Sequence, residues 1–281
     1  MVVEMKQLIR VAHSPDSDDA FMFYALAKDK IDTGEFEFDH VLSDIETLNQ
    51  EAMRGTYEVS AISFHAFPQV AKRYALLSSG SSMGDRYGPM VIAREPFSPQ
   101  VLREKSVAVP GLLTTAFLAL RLFEPQVRHV VMPFNEILPA VASGKVELGL
   151  IIHEGQLTYA QSGLHKIVDL GEWWHQKTGG LPLPLGGNVV RRDLGEENCR
   201  KISRILKTAI QYSLDHREAA LDYALTFARG MDPKTADRFV GMYVNDLTVD
   251  YGERGREAVR RLFEESVAAK LLSEIPPLEF V

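Results

Sequence analysis

The chain has 281 residues, of which 46% are hydrophobic and 25% charged, and its formal net charge is −7. That balance suits a globular protein of one large or two small domains, and with no dense Lys/Arg run it argues against a nucleic-acid partner. No window approaches the roughly 18 consecutive apolar residues of a membrane helix. The single cysteine, Cys199, has no internal disulfide partner. Met1 to Arg10 lacks an apolar core of signal-peptide length, so a cytoplasmic, membrane-free protein is expected.

Strand and helix signals alternate from the start. Residues 8–12 form an apolar strand pattern, and Asp18 or Asp19 is the expected cap of a helix through Phe21, Tyr24, Ala25 and Leu26. An alternating strand over 35–42 precedes a helix over 45–53. A strand over 57–64 then leads into a helix near Val70 and Tyr74. This rhythm predicts a largely parallel sheet. Strands over 106–109 and 127–132 flank a helix over 115–123, and a helix around 137–142 precedes an apolar run that ends in His153. Beyond Gly195 the pattern turns helical, over 200–214, 219–229 and 254–271, with Asp215 and Asp232 as expected caps.

Two segments look alike: 88–94 and 187–191 each pair a glycine with a short β-branched run ending in arginine. Strands of this kind can carry the chain into and out of an inserted domain. The expected architecture is α/β and two-domain, like a type II periplasmic-binding protein, with a central cleft and two hinge strands. Its larger domain would be 1–93 plus 190–281 with the C-terminal helices, and its smaller inserted domain 94–189.

Chemistry concentrates at strand ends. The run Val146, Leu148, Leu150, Ile151, Ile152 stops at His153, and in α/β proteins ligands gather at the carboxyl ends of strands. Histidine exchanges a proton near neutrality, although it can equally close a strand for structural reasons. Gly111 to Thr115 follows a strand and opens a helix. Its unpaired N–H groups suit a carboxylate, with the Thr114 and Thr115 hydroxyls as further donors. Thr114 also fits a plain N-cap.

The loop His13-Ser14-Pro15-Asp16-Ser17-Asp18-Asp19 clusters three acids. Phe21 stands where a calcium loop needs glycine, so helix capping is the better reading and no metal is expected. Ser63 ends another strand. After His153-Glu154, Leu157 occupies the place of a zinc protease's second histidine, and no nucleophile elbow or phosphate-binding glycine loop occurs. Trp173 and Trp174 fit either a ring-shaped ligand or the core.

With these segments placed, the chain resembles the 1,4-dihydroxy-6-naphthoate synthase family of the futalosine route to menaquinone. The likeness rests on Phe23 to Leu26, Asp44 to Asn49, Thr114 to Ala116, Gly149 to Glu154 and Leu181 to Gly186. It implies a carbon–carbon lyase acting on cyclic dehypoxanthine futalosine, with His153 as proton acceptor and no cofactor. It also implies that a small carboxylate substrate is held by Ala61, Ile62, Ser63, Thr114, Thr115 and Asp19. Two segments depart from the family. Ser14 to Asp19 stands where members often carry Ser-Pro-Cys-Pro-Asn-Asp, and Ala61-Ile62-Ser63 stands where they often carry Lys-Leu-Ser. The alternatives are a chorismate dehydratase-like enzyme of the same pathway and a non-catalytic solute-binding protein.

Overall fold

The structure is a computed structural model that describes residues 6–227 and 232–281. The reading of the first five residues, and of the last two in the expected helix over 219–229, lies outside the described residues. The chain forms two compact units. One comprises Met1–Ser82, Gly186–Gly252 and Pro277–Val281, the other Met83–Leu185 and Glu253–Pro276.

In the first unit, β1 (Gln7–His13) pairs in parallel with β2 (Phe36–Leu42) and β3 (Val59–Ser63). β11 (Leu183–Arg191) runs antiparallel to β3 and to β4 (Tyr74–Leu76), so the order is β2-β1-β3-β11-β4. The expected parallel trio therefore forms, and the returning strand makes the sheet mixed. Tyr74 lies in β4 and not in a helix. The helix before it, α3 (Phe67–Val70), is a single turn, and the apolar run that follows is buried throughout, as suits a strand covered on both faces.

α1 (Ser17–Ala27) is apolar nearly all round, which a helix tolerates only when enclosed. Its Phe21 and Phe23 share a core with Ile9 and Val11 of β1 and with Ile202, Leu206 and Ile210 of α8 (Glu196–Asp215). α2 (Ile45–Arg54) starts at Asp44, whose side chain accepts from Thr47 N. Cys199 is a free, buried thiol on α8, with its sulfur 3.5 Å from the Arg191 carbonyl.

Asp215 is the last residue of α8 and caps nothing. α9 (Arg217–Leu225) has His216 at its N-cap position, with no side-chain capping bond. Asp232 does cap, accepting from Lys234 N and Thr235 N, but the helix it opens is α10 (Pro233–Tyr243), which the helical pattern above omits. The short α11 (Asp246–Val249) follows.

Between the units in sequence lies the three-residue β5 (Ser82–Gly84). The second unit's sheet has the order β10-β6-β9-β7-β8. Its members are β6 (Met90–Ala93), β7 (Val107–Val109), β8 (His129–Val131), β9 (Leu148–Ile151) and β10 (His165–Asp169). β7 is parallel to β8 and β9, whereas β6 is antiparallel to β9 and β10. The two look-alike segments thus fall in different sheets, one in β6 and the other in β11.

The helices here are α4 (Thr115–Phe123), α5 (Phe134–Ser143), α6 (Gly155–Thr158) and α7 (Leu170–Thr178). α12 (Gly252–Ala268) supplies most of 253–276. Ionic contacts tie it to this unit: Arg254 pairs with Asp85 at 2.8 Å, and Lys177 with Glu265 at 3.1 Å. Among the described residues no helix is long and apolar enough to cross a membrane.

β10 and α7 meet at Asp169, which caps α7 by accepting from Gly171 N (2.8 Å) and Glu172 N (3.1 Å). Burial nevertheless pushes its carboxyl up to about 6. An unfolded aspartate titrates near 3.9. The folded state therefore holds an extra proton between about pH 4 and 6, and stability falls as pH rises through that window. Asp169→Asn keeps the cap acceptor and removes the buried charge. In urea melts it should be more stable than the parent at pH 8, by up to about 3 kcal/mol, and gain little at pH 4.

Candidate functional site

In the second unit the parallel strands β7 and β9 deliver their carboxyl ends to the two segments singled out in the sequence. β9 stops at Ile151. Two residues later His153 takes φ +59°, one of four non-glycine residues with positive φ among those described. That left-handed backbone costs an L-residue about 1–2 kcal/mol and persists only where the surroundings impose it, commonly at functional sites. The half-buried imidazole meets the Phe134 ring edge-on at 4.8 Å between centroids, and the His153 carbonyl accepts from Gln156 N to start α6.

β7 leads through Gly111 into α4, with both threonines buried. Thr114 is the N-cap: its hydroxyl accepts from Phe117 N at 3.2 Å and donates to the Gly111 carbonyl at 2.9 Å. Thr115 donates its hydroxyl to the Leu185 carbonyl at 2.6 Å. A hydroxyl has one proton to give, and each of these goes to a backbone carbonyl. The start of α4 also carries backbone N–H groups that have no partner within the helix itself.

The first unit places the other named residues at the carboxyl ends of β1 and β3. The N-cap of α1 is Asp16, while Asp18 and Asp19 sit in the first turn, where acids favour the dipole. Asp19 reaches back to accept from Ser14 N at 2.8 Å, bracing the β1–α1 loop. Ser63 ends β3, and its partner is Asn49 on α2. The Asn49 oxygen accepts from Ser63 N at 2.8 Å, and its nitrogen donates to the Ser63 hydroxyl at 3.0 Å. That leaves the Ser63 proton to be donated elsewhere. Ala61 and Ile62 are strand interior: Ile62 is wholly buried, and Ala61 packs with Leu48 and Ala12. Both side chains are apolar, and both residues lie in the strand that carries Ser63.

Two features went unassigned in the sequence reading. Asn49 appears there only as part of a motif, yet it is wholly buried on the inward face of α2 beside Leu48 and Ala52. A polar residue in a helix's apolar stripe was the available signal. The second is a histidine pair. His13 Nδ1 lies 2.9 Å from the Ser14 carbonyl, and its Nε2 lies 3.1 Å from His40 Nδ1. A carbonyl only accepts, so this pattern puts a proton on His13 Nδ1 and makes His13 Nε2 the acceptor from His40 Nδ1–H. Burial lowers both to about 4, and for His40 the neighbouring His13 adds to the effect. Unfolded histidine binds its proton near pH 6.5, so this pair favours the fold above that value. Its contribution is lost as pH falls towards about 4.

Trp174 is wholly buried and donates its indole N–H to the Pro182 carbonyl at 3.0 Å, which places it in the core. Trp173 meets Phe123 edge-on at 5.4 Å. Among the described residues no group of three His, Cys, Asp or Glu side chains is placed to hold a metal ion.

A sequence model of a family described as menaquinone biosynthesis matches residues 9–268. The chain is 42% identical over 275 residues to 1,4-dihydroxy-6-naphthoate synthase of Thermus thermophilus, covering 98% of this chain and 100% of the relative. The enzyme of the same name from Streptomyces coelicolor is 38% identical over 275 residues, with 96% of each chain covered. Among solved structures, a protein from Archaeoglobus fulgidus superposes with a TM-score of 0.90 at 44% identity, over 97% of this chain and 100% of that one. The alkanesulfonate-binding protein of Xanthomonas axonopodis pv. citri, bound to MOPS, gives 0.69 at 11% identity over 98% and 96%. The latter likeness shows the fold alone. It agrees with the α/β, type II periplasmic-binding-protein-like architecture expected from the strand pattern.

Proposed function

Given that the chain belongs to the menaquinone-biosynthesis family, we propose that it is a 1,4-dihydroxy-6-naphthoate synthase, a lyase acting on cyclic dehypoxanthine futalosine. The observation that carries this reading is His153, held in left-handed backbone beyond β9 within a motif that the family resemblance singles out. His153 serves as general base and removes a proton from the sugar-derived part of the substrate. Carbon–carbon cleavage then expels a small sugar fragment, and aromatisation of the remaining bicycle drives the step forward. Such a base contributes about 10²–10⁴-fold in rate. The substrate carboxylate rests on the N–H groups at the start of α4. No metal or organic cofactor has a part in these steps, and the site of action is the cytoplasm.

Incubation with cyclic dehypoxanthine futalosine, followed by mass spectrometry, tests the assignment. Appearance of 1,4-dihydroxy-6-naphthoate is the expected result. Unchanged substrate, or turnover of chorismate in its place, overturns it.

Thr115→Val refines the carboxylate subsite. One hydrogen bond to a charged group is worth about 1.5–3 kcal/mol, or roughly 10- to 100-fold in binding. Because the Thr115 proton is engaged by Leu185, KM should rise less than about tenfold, with kcat little changed. A larger rise in KM would mean that the hydroxyl itself grips the carboxylate. A collapse of kcat would move Thr115 into the chemical step.

A further inference from the structure

We propose that the first unit carries a second ligand site, a basic pocket that takes a phosphate-bearing small molecule. It lies at the edge of the sheet opposite His13 and Ser63. β3 enters the sheet at Val59, which pairs with Val190 near the end of β11, whereas Ser63 pairs with Gly186 at the other extreme. Around the Val59 edge lies a cavity of about 920 Å³ whose charged lining is Arg54, Lys72, Arg73, Arg191, Arg192 and Asp193. Five cations against one carboxylate make a marked local excess in a chain whose net charge is −7.

Three of the guanidinium groups are fixed by backbone carbonyls. Arg73 donates to Met53 at 2.8 Å, Arg191 to Gly55 at 2.9 Å, and Arg192 to Ala71 and Tyr74 at 3.2 Å. Guanidinium groups held in place in this way offer their remaining N–H donors without further ordering cost, and their fork matches phosphate oxygens. The charges are only partly compensated within the protein. Arg54 pairs with Glu51, Arg191 with Glu58 and Asp193, and Arg192 with Glu279. Among the described residues no ion pair reaches Lys72 or Arg73, so two adjacent positive charges stand at the pocket without a carboxylate.

Gly55 leaves room for the Arg73 side chain. It takes φ +75° as the C-cap of α2, and a Cβ there would come within 2.8 Å of the Arg73 side chain. The cavity volume falls in the range that small-molecule sites occupy. A ligand with one or two phosphoryl groups supplies the dianionic, multi-acceptor head that two uncompensated cations and a set of fixed forks would recognise.

Isothermal titration of the whole protein with inorganic pyrophosphate and with ADP, at constant ionic strength set by chloride, tests the proposal. Saturable binding is expected, weakened about tenfold or more in Lys72→Ala/Arg73→Ala by loss of two charge-assisted contacts. Lys72→Ala alone changes an exposed side chain and keeps the test readable if the double variant does not fold; it should weaken binding in the same direction. ADP binding more tightly than pyrophosphate identifies a nucleotide, and equal affinities identify the phosphoryl groups alone. Absence of binding, or affinities unaltered by the replacements, overturns the proposal.

Discussion

His153→Ala should lower kcat by at least about 100-fold, the smallest contribution ordinarily made by a positioned general base. KM should stay close to the parent value, because the proposed carboxylate contacts belong to the start of α4. The fold should not suffer. His153 is half-buried and sits beyond the end of β9, with its ring T-shaped against Phe134. His153→Gly sharpens the experiment. Glycine adopts φ +59° without the penalty that an L-side chain incurs there, so this variant should be as inactive as the alanine but unfold at a higher temperature, by about 1 kcal/mol in stability. Steady-state kinetics and thermal melts on the pair separate a chemical role from a structural one. Retention of more than about a tenth of the activity in either variant would remove His153 from the chemistry.

Trp174→Ala should cost about 3–5 kcal/mol, the usual loss when a large aromatic is cut from a packed core. The ring is wholly buried and its N–H is engaged by the Pro182 carbonyl, so the variant loses packing and leaves that carbonyl without its donor. Trp174→Phe restores most of the volume and should recover part of the loss. Trp173→Ala should cost much less, because that ring is only partly enclosed. Circular dichroism of urea unfolding is a suitable measurement, since it does not rely on the tryptophans being replaced. A Trp174→Ala variant within about 1 kcal/mol of the parent would contradict the core assignment.

The contrast between the two tryptophans shows where sequence reasoning reached its limit. Adjacent aromatics beside a proline turn are equally compatible with a ligand lid and a core anchor, and only the distance to Pro182 separates them. Elements with strong local signals were legible. α4 runs over the same residues that were expected, because an apolar stretch follows a threonine able to cap it. The paired strands β1, β2 and β3 were legible from apolar or alternating runs bounded by turn residues. β10 was not: only two of its five residues are buried, so its sequence lacks a strand's apolar signature. α10 carries Ala236, Phe239, Val240 and Tyr243 at helical spacing behind its cap Asp232, a short period between two breaks.

Among the proposed contacts, His153 follows an apolar strand, Ser63 ends one and Thr114 caps a helix, all of them local signals. Asn49 and Ser63 are 14 residues apart, and His13 and His40 are 27 apart. Such pairs exist only once sheet register and helix packing bring them together, and a single sequence carries no register. The donor economy of Thr114 and Thr115 was hidden for the same reason, since the carbonyl that takes the Thr115 proton is 70 residues away.

The lone thiol on α8 gives this protein a built-in clock. Cys199 is 4% exposed, and burial raises its pKa, so the native state presents neither access nor thiolate to an alkylating reagent. Modification must wait until α8 lifts from β1 and α1. With reagent in excess, the labelling rate therefore reports the opening equilibrium of the first unit under native conditions, without denaturant and without an engineered probe. A single mass increment per chain, read against time, would show which substrates, phosphate-bearing molecules or replacements hold that unit shut.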